Sequence, residues 1–437
     1  MLTRFALKEP CQALTNRMFT RLLLPPLLAA MALPSLAKSE EAPAEDPLKV
    51  LQGDLKKLQG LKVTGYVQAR YEQNEASKEG VSSDGTPANT DQFYIRRGRI
   101  KVQYSGVRWS EVMLQLDATG RGLSLKDAEI TFKAPLEGFK LDLTAGQTKL
   151  PFGYEIIQSS SARELPERAK VITSLFPGER DRGIKLKAEW RFLNAQLGVF
   201  NGNGTEDTAT KLSYRVPEDS NGDGSLDATE LEAAEVKSGA TLNFGNTDRD
   251  AFKDVAGRLG VDFALSKKGK LTAGLSGYFG QWGVPDQAYI DLEGNLVDTN
   301  LITILPKNRL GADFQVKYAL LEKLGATELR GEFITGSGLF EKDKQKDVPV
   351  QGYSATFVQG LGKQLAFAAR VDSFDADTSS EQTETTSIEP ALLFMPNDAL
   401  KLTLAYQLVQ DFDGKDESGN KIDKANNRFL LQFQGKF

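Results

Sequence analysis

Histidine is absent from this 437-residue sequence, and cysteine occurs once, at Cys11. Without histidine there is no Ser/His/Asp or Cys/His nucleophile arrangement, no His-ligated zinc and no imidazole proton shuttle. The chain is therefore not expected to be an enzyme. Long apolar runs are also missing. A bundle of membrane helices needs repeated stretches of about 20 apolar residues, and only one stretch near the N-terminus approaches that, so a polytopic helical protein is excluded. Charge of one sign is not in excess either. The 54 Lys and Arg against 59 Asp and Glu leave a formal net charge of -5, too small to suggest a nucleic-acid partner.

The single apolar stretch, residues 22–33, follows Arg17 and Arg21 and is interrupted by Pro25 and Pro26. It is too short to span a bilayer. With Ser35 and Ala37 as the small residues before a cleavage point, residues 1–37 read as a secretory signal peptide, and a start at Met18 gives that signal a more usual length. Cys11 precedes the apolar core, so it is not a lipoprotein cysteine. The mature chain then has no cysteine and no disulfide.

From Leu61 onward the sequence alternates. In Leu400, Leu402, Leu404, Tyr406 and Leu408 against Lys401, Thr403, Ala405 and Gln407, apolar and polar residues exchange with the period of a strand whose two faces meet different surroundings. Segments of this kind, each near the nine to eleven residues that a tilted membrane-spanning strand needs, fall at 62–73, 92–105, 108–118, 123–134, 138–148, 182–191, 193–202, 254–266, 269–281, 306–319, 325–336, 350–360, 363–374, 386–395, 399–411 and 426–437. After even-numbered segments the chain turns tightly, at pairs such as Ser105-Gly106 and Pro396-Asn397. After odd ones it wanders, with 119–122 the short exception. Long links on one rim and tight turns on the other are the signature of an outer-membrane barrel, with the tight turns toward the periplasm. A soluble sandwich has no reason to alternate its links so regularly, and a solenoid would show a fixed repeat. The expected fold is all-β: a closed antiparallel transmembrane β-barrel of about 16 strands over 61–437, after a periplasmic N-terminal linker at 38–60.

Three stretches together carry a resemblance: Phe93-Tyr94-Ile95-Arg96-Arg97-Gly98-Arg99, Ala145-Gly146-Gln147-Thr148-Lys149-Leu150-Pro151-Phe152-Gly153, and Leu175-Phe176-Pro177-Gly178-Glu179-Arg180-Asp181-Arg182-Gly183-Ile184. With the closing Phe437, this resembles the phosphate-selective porin O/P family of Gram-negative outer membranes. The resemblance implies a trimer of sixteen-stranded barrels in outer-membrane lipid and a third long loop, here 149–181, folded inward to narrow the pore. It also implies small anions such as phosphate as solutes, and recognition of Phe437 by the barrel-assembly machinery. Family members selective for phosphate present a dense basic ladder, whereas this lumen reads as mixed.

On the second strand, strict alternation places Ile95, Arg97, Arg99, Lys101 and Gln103 on one face and Tyr94, Arg96, Gly98 and Ile100 on the other. The first face should be the lumen, because a charge facing mid-bilayer costs about 2–4 kcal/mol. Arg97, Arg99 and Lys101 would then stand roughly 6.6 Å apart in turn, as weak steps between which an anion passes. The alternative is that these bases pair with Asp127 and Glu129. Lys185, Lys187, Arg191, Arg258, Arg330 and Arg370 are further inward bases, and Asp117, Asp313, Glu328, Glu332, Asp372 and Glu389 are inward acids. Loop 149–181 adds Arg163, Arg168 and Arg180, against Glu155, Glu164, Glu167 and Glu179. The expected function is a passive diffusion channel with an anion preference; the alternative is a structural or surface-binding barrel whose long loops contact a partner.

The sharpest local motif lies in the long extracellular loop 203–253. Asp219, Asn221, Asp223, Ser225, Asp227 and Glu230 occupy the ligand positions of a twelve-residue EF-hand calcium loop, with Gly224 at the sharp turn. Leu231-Glu232-Ala233-Ala234-Glu235-Val236 reads as the exiting helix. No entering helix precedes the motif, since Arg215-Val216-Pro217 reads as extended. The alternative is a solvated acidic turn.

Overall fold

The computed structural model describes residues 58–75, 91–120, 122–202, 204, 210–216, 235–242, 252–266, 268–285, 288–290, 296–297, 302–321, 323–339, 347–381, 383–415, 421–423 and 426–437. The expected signal peptide, nearly all of the linker, and the calcium motif at 219–230 lie outside the described residues.

Sixteen long strands follow one another. The first half comprises β1 (Leu61–Asn74), β2 (Gln92–Tyr104), β3 (Ser110–Thr119), β4 (Gly122–Ala134), β5 (Lys140–Lys149), β6 (Arg180–Trp190), β7 (Leu193–Phe200) and β8 (Asp254–Ser266). The second comprises β9 (Gly269–Phe279), β10 (Arg309–Leu321), β11 (Gly325–Leu339), β12 (Asp347–Leu361), β13 (Leu365–Asp375), β14 (Glu384–Phe394), β15 (Leu400–Lys415) and β16 (Arg428–Lys436). Each pairs antiparallel with the next. β16 returns to β1, from Tyr66 opposite Lys436 to Asn74 opposite Arg428, and closes the barrel. Closure leaves no sheet edge, so every strand amide inside the bilayer finds a partner within the protein.

All sixteen expected segments meet a strand. Departures concentrate at the long-loop rim, where β12 begins earlier and β15 continues to Lys415. There the strands rise out of the alternating zone, so pattern no longer marks their ends. In the long loops, Thr210–Val216 pairs antiparallel with Glu235–Leu242 and parallel with Ala288–Ile290. The strand beginning at Glu235 takes the last two residues of the helix expected at 231–236: a hairpin arm follows the calcium motif there.

Alternation sets the two faces. On β12, buried Val350, Ser354, Thr356 and Val358 look inward while Tyr353 and Phe357 look outward. At the seam, Phe437 and Gly65 exchange two backbone hydrogen bonds of 3.0 Å. A Cβ on Gly65 would lie 2.3 Å from the Phe437 ring, so only glycine lets the terminal aromatic fold over β1.

Candidate functional site

The site begins with the chain between β5 and β6, residues 150–179, here called L3. Its apolar side chains Phe152, Ile156, Val171, Ile172 and Phe176 are buried with Phe200, Tyr278, Ile334, Val350 and Phe374 of the inner wall. Burying one such side chain contributes about 1.5–3 kcal/mol, which is why L3 lies inside the barrel and not above it. Two wall glycines make room. A Cβ on Gly311 would lie 2.8 Å from Phe152, and one on Gly352 would lie 2.7 Å from Val171. Short helix α1 (Lys170–Leu175) completes the packing. Polar anchors fix the rest. The backbone N–H of Glu155 donates to Glu332 at 3.0 Å, that of Gly153 to Ser276 at 3.0 Å, and the Lys401 ammonium to the Arg163 carbonyl at 2.6 Å. The inward fold and lumen-narrowing position expected of this loop are what the structure shows.

Two β-bulges shape the facing wall. Between β1 and β2, Gln68 lies opposite Arg97 and Ala69 opposite Ile95, so Arg96 is an extra residue on β2. Between β3 and β4, Gln115 lies opposite Asp127 and Leu116 opposite Leu125, so Lys126 is extra on β4. Each bulge reverses the alternation beyond it. The reading of β2 by strict alternation is thereby corrected: Ile95 is exposed on the outside, whereas Tyr94 and Arg96 look inward, Tyr94 donating to Glu72 at 2.5 Å. Without the bulge, either Arg96 or Arg97 would face lipid.

Bulges and L3 meet at a cavity of about 230 Å³. Its bases are Arg96, Arg97, Arg99, Lys126, Arg163, Arg168 and Arg180; its acids are Asp117, Glu167 and Glu179. Arg97 pairs with Glu167 at 2.9 Å and Arg99 with Asp117 at 3.0 Å. Arg180 pairs with Asp127 at 2.8 Å and with Glu179 at 3.0 Å, and Arg168 also pairs with Glu179. Arg163 differs from all of these. It is 4% exposed, and among the described residues none of its three guanidinium nitrogens has a hydrogen-bond partner. Burial, and then the Arg168 charge, push its pKa down to about 10, so it remains a cation at neutral pH.

Of the bases singled out in the sequence, Arg97, Arg99, Arg163, Arg168 and Arg180 gather at this cavity. Lys101, Lys185 and Lys187 are half-buried on the strands nearby, with Lys185 donating to Thr148 at 2.8 Å and Lys187 pairing with Glu189 at 2.6 Å. The partners considered for the β2 bases were wrong in identity: Asp117 and Glu167 take Arg99 and Arg97, whereas Asp127 takes Arg180. Arg191 is also corrected. It lies in the turn after β6 with φ 54° and stacks over Trp190 at 4.8 Å. Arg96 and Lys126 were missed as site residues. A parity switch signals both: exposed Phe93 and Ile95 give way to Ile100 and Val102, and Leu123 and Leu125 to Ile130 and Phe132.

Known proteins bear on this geometry. Residues 61–274, from β1 into β9, match the family described as phosphate-selective porin O and P. No curated protein sequence matches the chain. Among solved structures, the anion-selective porin of Comamonas acidovorans is similar at 10% identity with a TM-score of 0.51, over 86% of this chain and 99% of that one. OprB of Pseudomonas putida is similar at 11% identity and TM-score 0.51, over 89% and 97%. The trimer form of OmpT, an outer-membrane protein of Vibrio cholerae, is similar at 8% identity and TM-score 0.50, over 86% and 99%. At such identities these structures speak for the fold, and the family match carries the rest. Through residues 61–274 the chain belongs to the phosphate-selective porin O and P family, and it is a porin of the Gram-negative outer membrane.

Proposed function

We propose that this channel passes small solutes by diffusion and prefers anions, phosphate among them. The observation that carries the reading is the L3 cavity, where seven basic side chains meet three acidic ones and one guanidinium has no hydrogen-bond partner among the described residues. A diffusing anion gains from such a cluster, and several weak contacts let it leave again. In planar bilayers under a salt gradient, the reversal potential should show anion preference. Replacing Arg97, Arg99 and Lys101 together with Gln should reduce it. A cation-preferring wild type, or no conductance at all, would overturn the reading; the latter would favour a surface-binding barrel.

Assembly as a homotrimer, with Phe437 read by the barrel-assembly machinery, belongs to the same proposal. Its support is the trimer form of the Vibrio cholerae neighbour and the exposed aromatic at the end of the seam. For the motif at Asp219, Asn221, Asp223, Ser225, Asp227 and Glu230 we propose one bound Ca²⁺, which orders an extracellular loop. Hairpin arms ending at Val216 and beginning at Glu235 bracket it. A lone loop should bind at roughly 10⁻⁴–10⁻³ M. Calorimetric titration should show one site in the wild type and none in Asp219→Ala or Glu230→Gln; equal uptake by all three would reduce the motif to an acidic turn.

A further inference from the structure

One side chain of L3 sits where a diffusing anion would be held best. The Glu167 carboxylate pairs with Arg70 at 2.7 Å, Arg96 at 2.7 Å and Arg97 at 2.9 Å. Three guanidiniums from two adjacent strands thus surround one carboxylate, and the bulge at Arg96 supplies the third. Burial works against charge on Glu167, but Arg97, Arg70, Arg96 and Arg163 outweigh it and hold the carboxyl well below its ordinary range. At neutral pH it is a carboxylate. Four residues earlier stands Arg163, buried against the same cavity with all three nitrogens unpartnered. A buried guanidinium without a partner is costly, and the cavity beside it has room for a small ion with some of its water. One carboxylate is therefore tied to three bases, while among the described residues the guanidinium of a fourth has no hydrogen-bond partner.

We propose that Glu167 is a tethered counter-ion occupying the pore's own anion seat, and that a compact oxyanion binds in the adjoining cavity by drawing Arg163 toward it and competing with Glu167 for Arg97. The inference rests on the anion-channel reading and deepens it. A permanently attached rival keeps the seat from becoming a trap: as the ion moves on, Glu167 closes back over the bases, and release stays fast. Glu167 is thus the residue that sets how tightly the pore holds its solute.

Phosphate block of chloride current tests this. Chloride conductance of the full-length protein is measured in planar bilayers while inorganic phosphate is titrated into one chamber. Each change removes or frees one charge-assisted contact, so it should move the half-blocking concentration about tenfold. Glu167→Gln should lower it and Arg163→Gln should raise it. Glu167→Asp keeps the charge but shortens the tether, should lower it by less, and carries the test if the Gln variant fails to fold. If the wild type prefers anions in a salt gradient yet no folded variant moves the half-blocking concentration more than twofold, the tethered counter-ion is wrong and the anion reading stands. A cation-preferring wild type overturns both.

Discussion

The two sides of the lumen treat positive charge differently. On the wall formed by β8 to β14, three of the four buried arginines have an acid built into the sheet, while the fourth, Arg309, lies over the Phe176 and Tyr278 rings: Arg258 holds Asp313 at 2.6 Å across two strands, and Arg330 holds Glu328 at 2.8 Å. Arg370 holds Glu389, its direct cross-strand partner, at 2.7 Å, and Asp372 at 3.0 Å. On the wall from β1 to β6, bulges add Arg96 and Lys126 without adding acids, and L3 has to supply Glu167 and Glu179. A count of inward bases and acids therefore says little about selectivity. Matched ladders contribute to rigidity; the surplus of bases lies on the other wall.

Stability should separate the two walls. Arg370→Met strands two buried carboxylates and should cost about 3–5 kcal/mol, read as an earlier midpoint in urea for loss of the compact, heat-modifiable band on a detergent gel. Acid should act next, through L3. Burial pushes the Glu179 carboxyl up, but Arg168 and Arg180 outweigh it and bring it down to about 2 from the ordinary 4.5. Because the folded value lies below the unfolded one, this contribution is complete above about pH 4.5 and is lost as pH falls toward 2. At about 1.36 kcal/mol per unit it amounts to no more than about 3.5 kcal/mol. Channel noise from a loosening L3 should appear only in that window; noise rising already at pH 6 would place the lock elsewhere. Smallest of all, Lys101→Gln should shift the urea midpoint by no more than about 0.5 kcal/mol. A loss there equal to that of Arg370→Met would erase the contrast between the walls.

The barrel was legible because each crossing puts lipid on one face and water on the other for about ten residues, a signal that Leu400, Leu402, Leu404, Tyr406 and Leu408 carry without help from the fold. L3 was less so. Phe152 and Val171 look like ordinary loop apolars until Gly311 and Gly352, far along the chain, show the hollows they fill. Arg70 meets Arg96 and Arg97 through the pairing of β1 with β2, and Glu167, some 70 residues on, reaches them only because L3 folds inward. The bulges lie between these extremes. Their signature, a change of parity from Ile95 to Ile100, is written in the sequence, but a reading that assumes unbroken alternation passes over it.

The bulges also say something about how such a pore can change over generations. Substitution on a lumen face exchanges one side chain for another, so a new charge displaces whatever stood there. Insertion of a single residue behaves differently when the extra position is absorbed where it arises: Ile95 and Ile100 both still meet lipid, and Arg96 is a net gain to the interior. One added codon at the right place can therefore retune the conduit while the membrane-facing coat keeps its composition. Natural variation in pores of this kind should accordingly be sought in strand length as well as in residue identity.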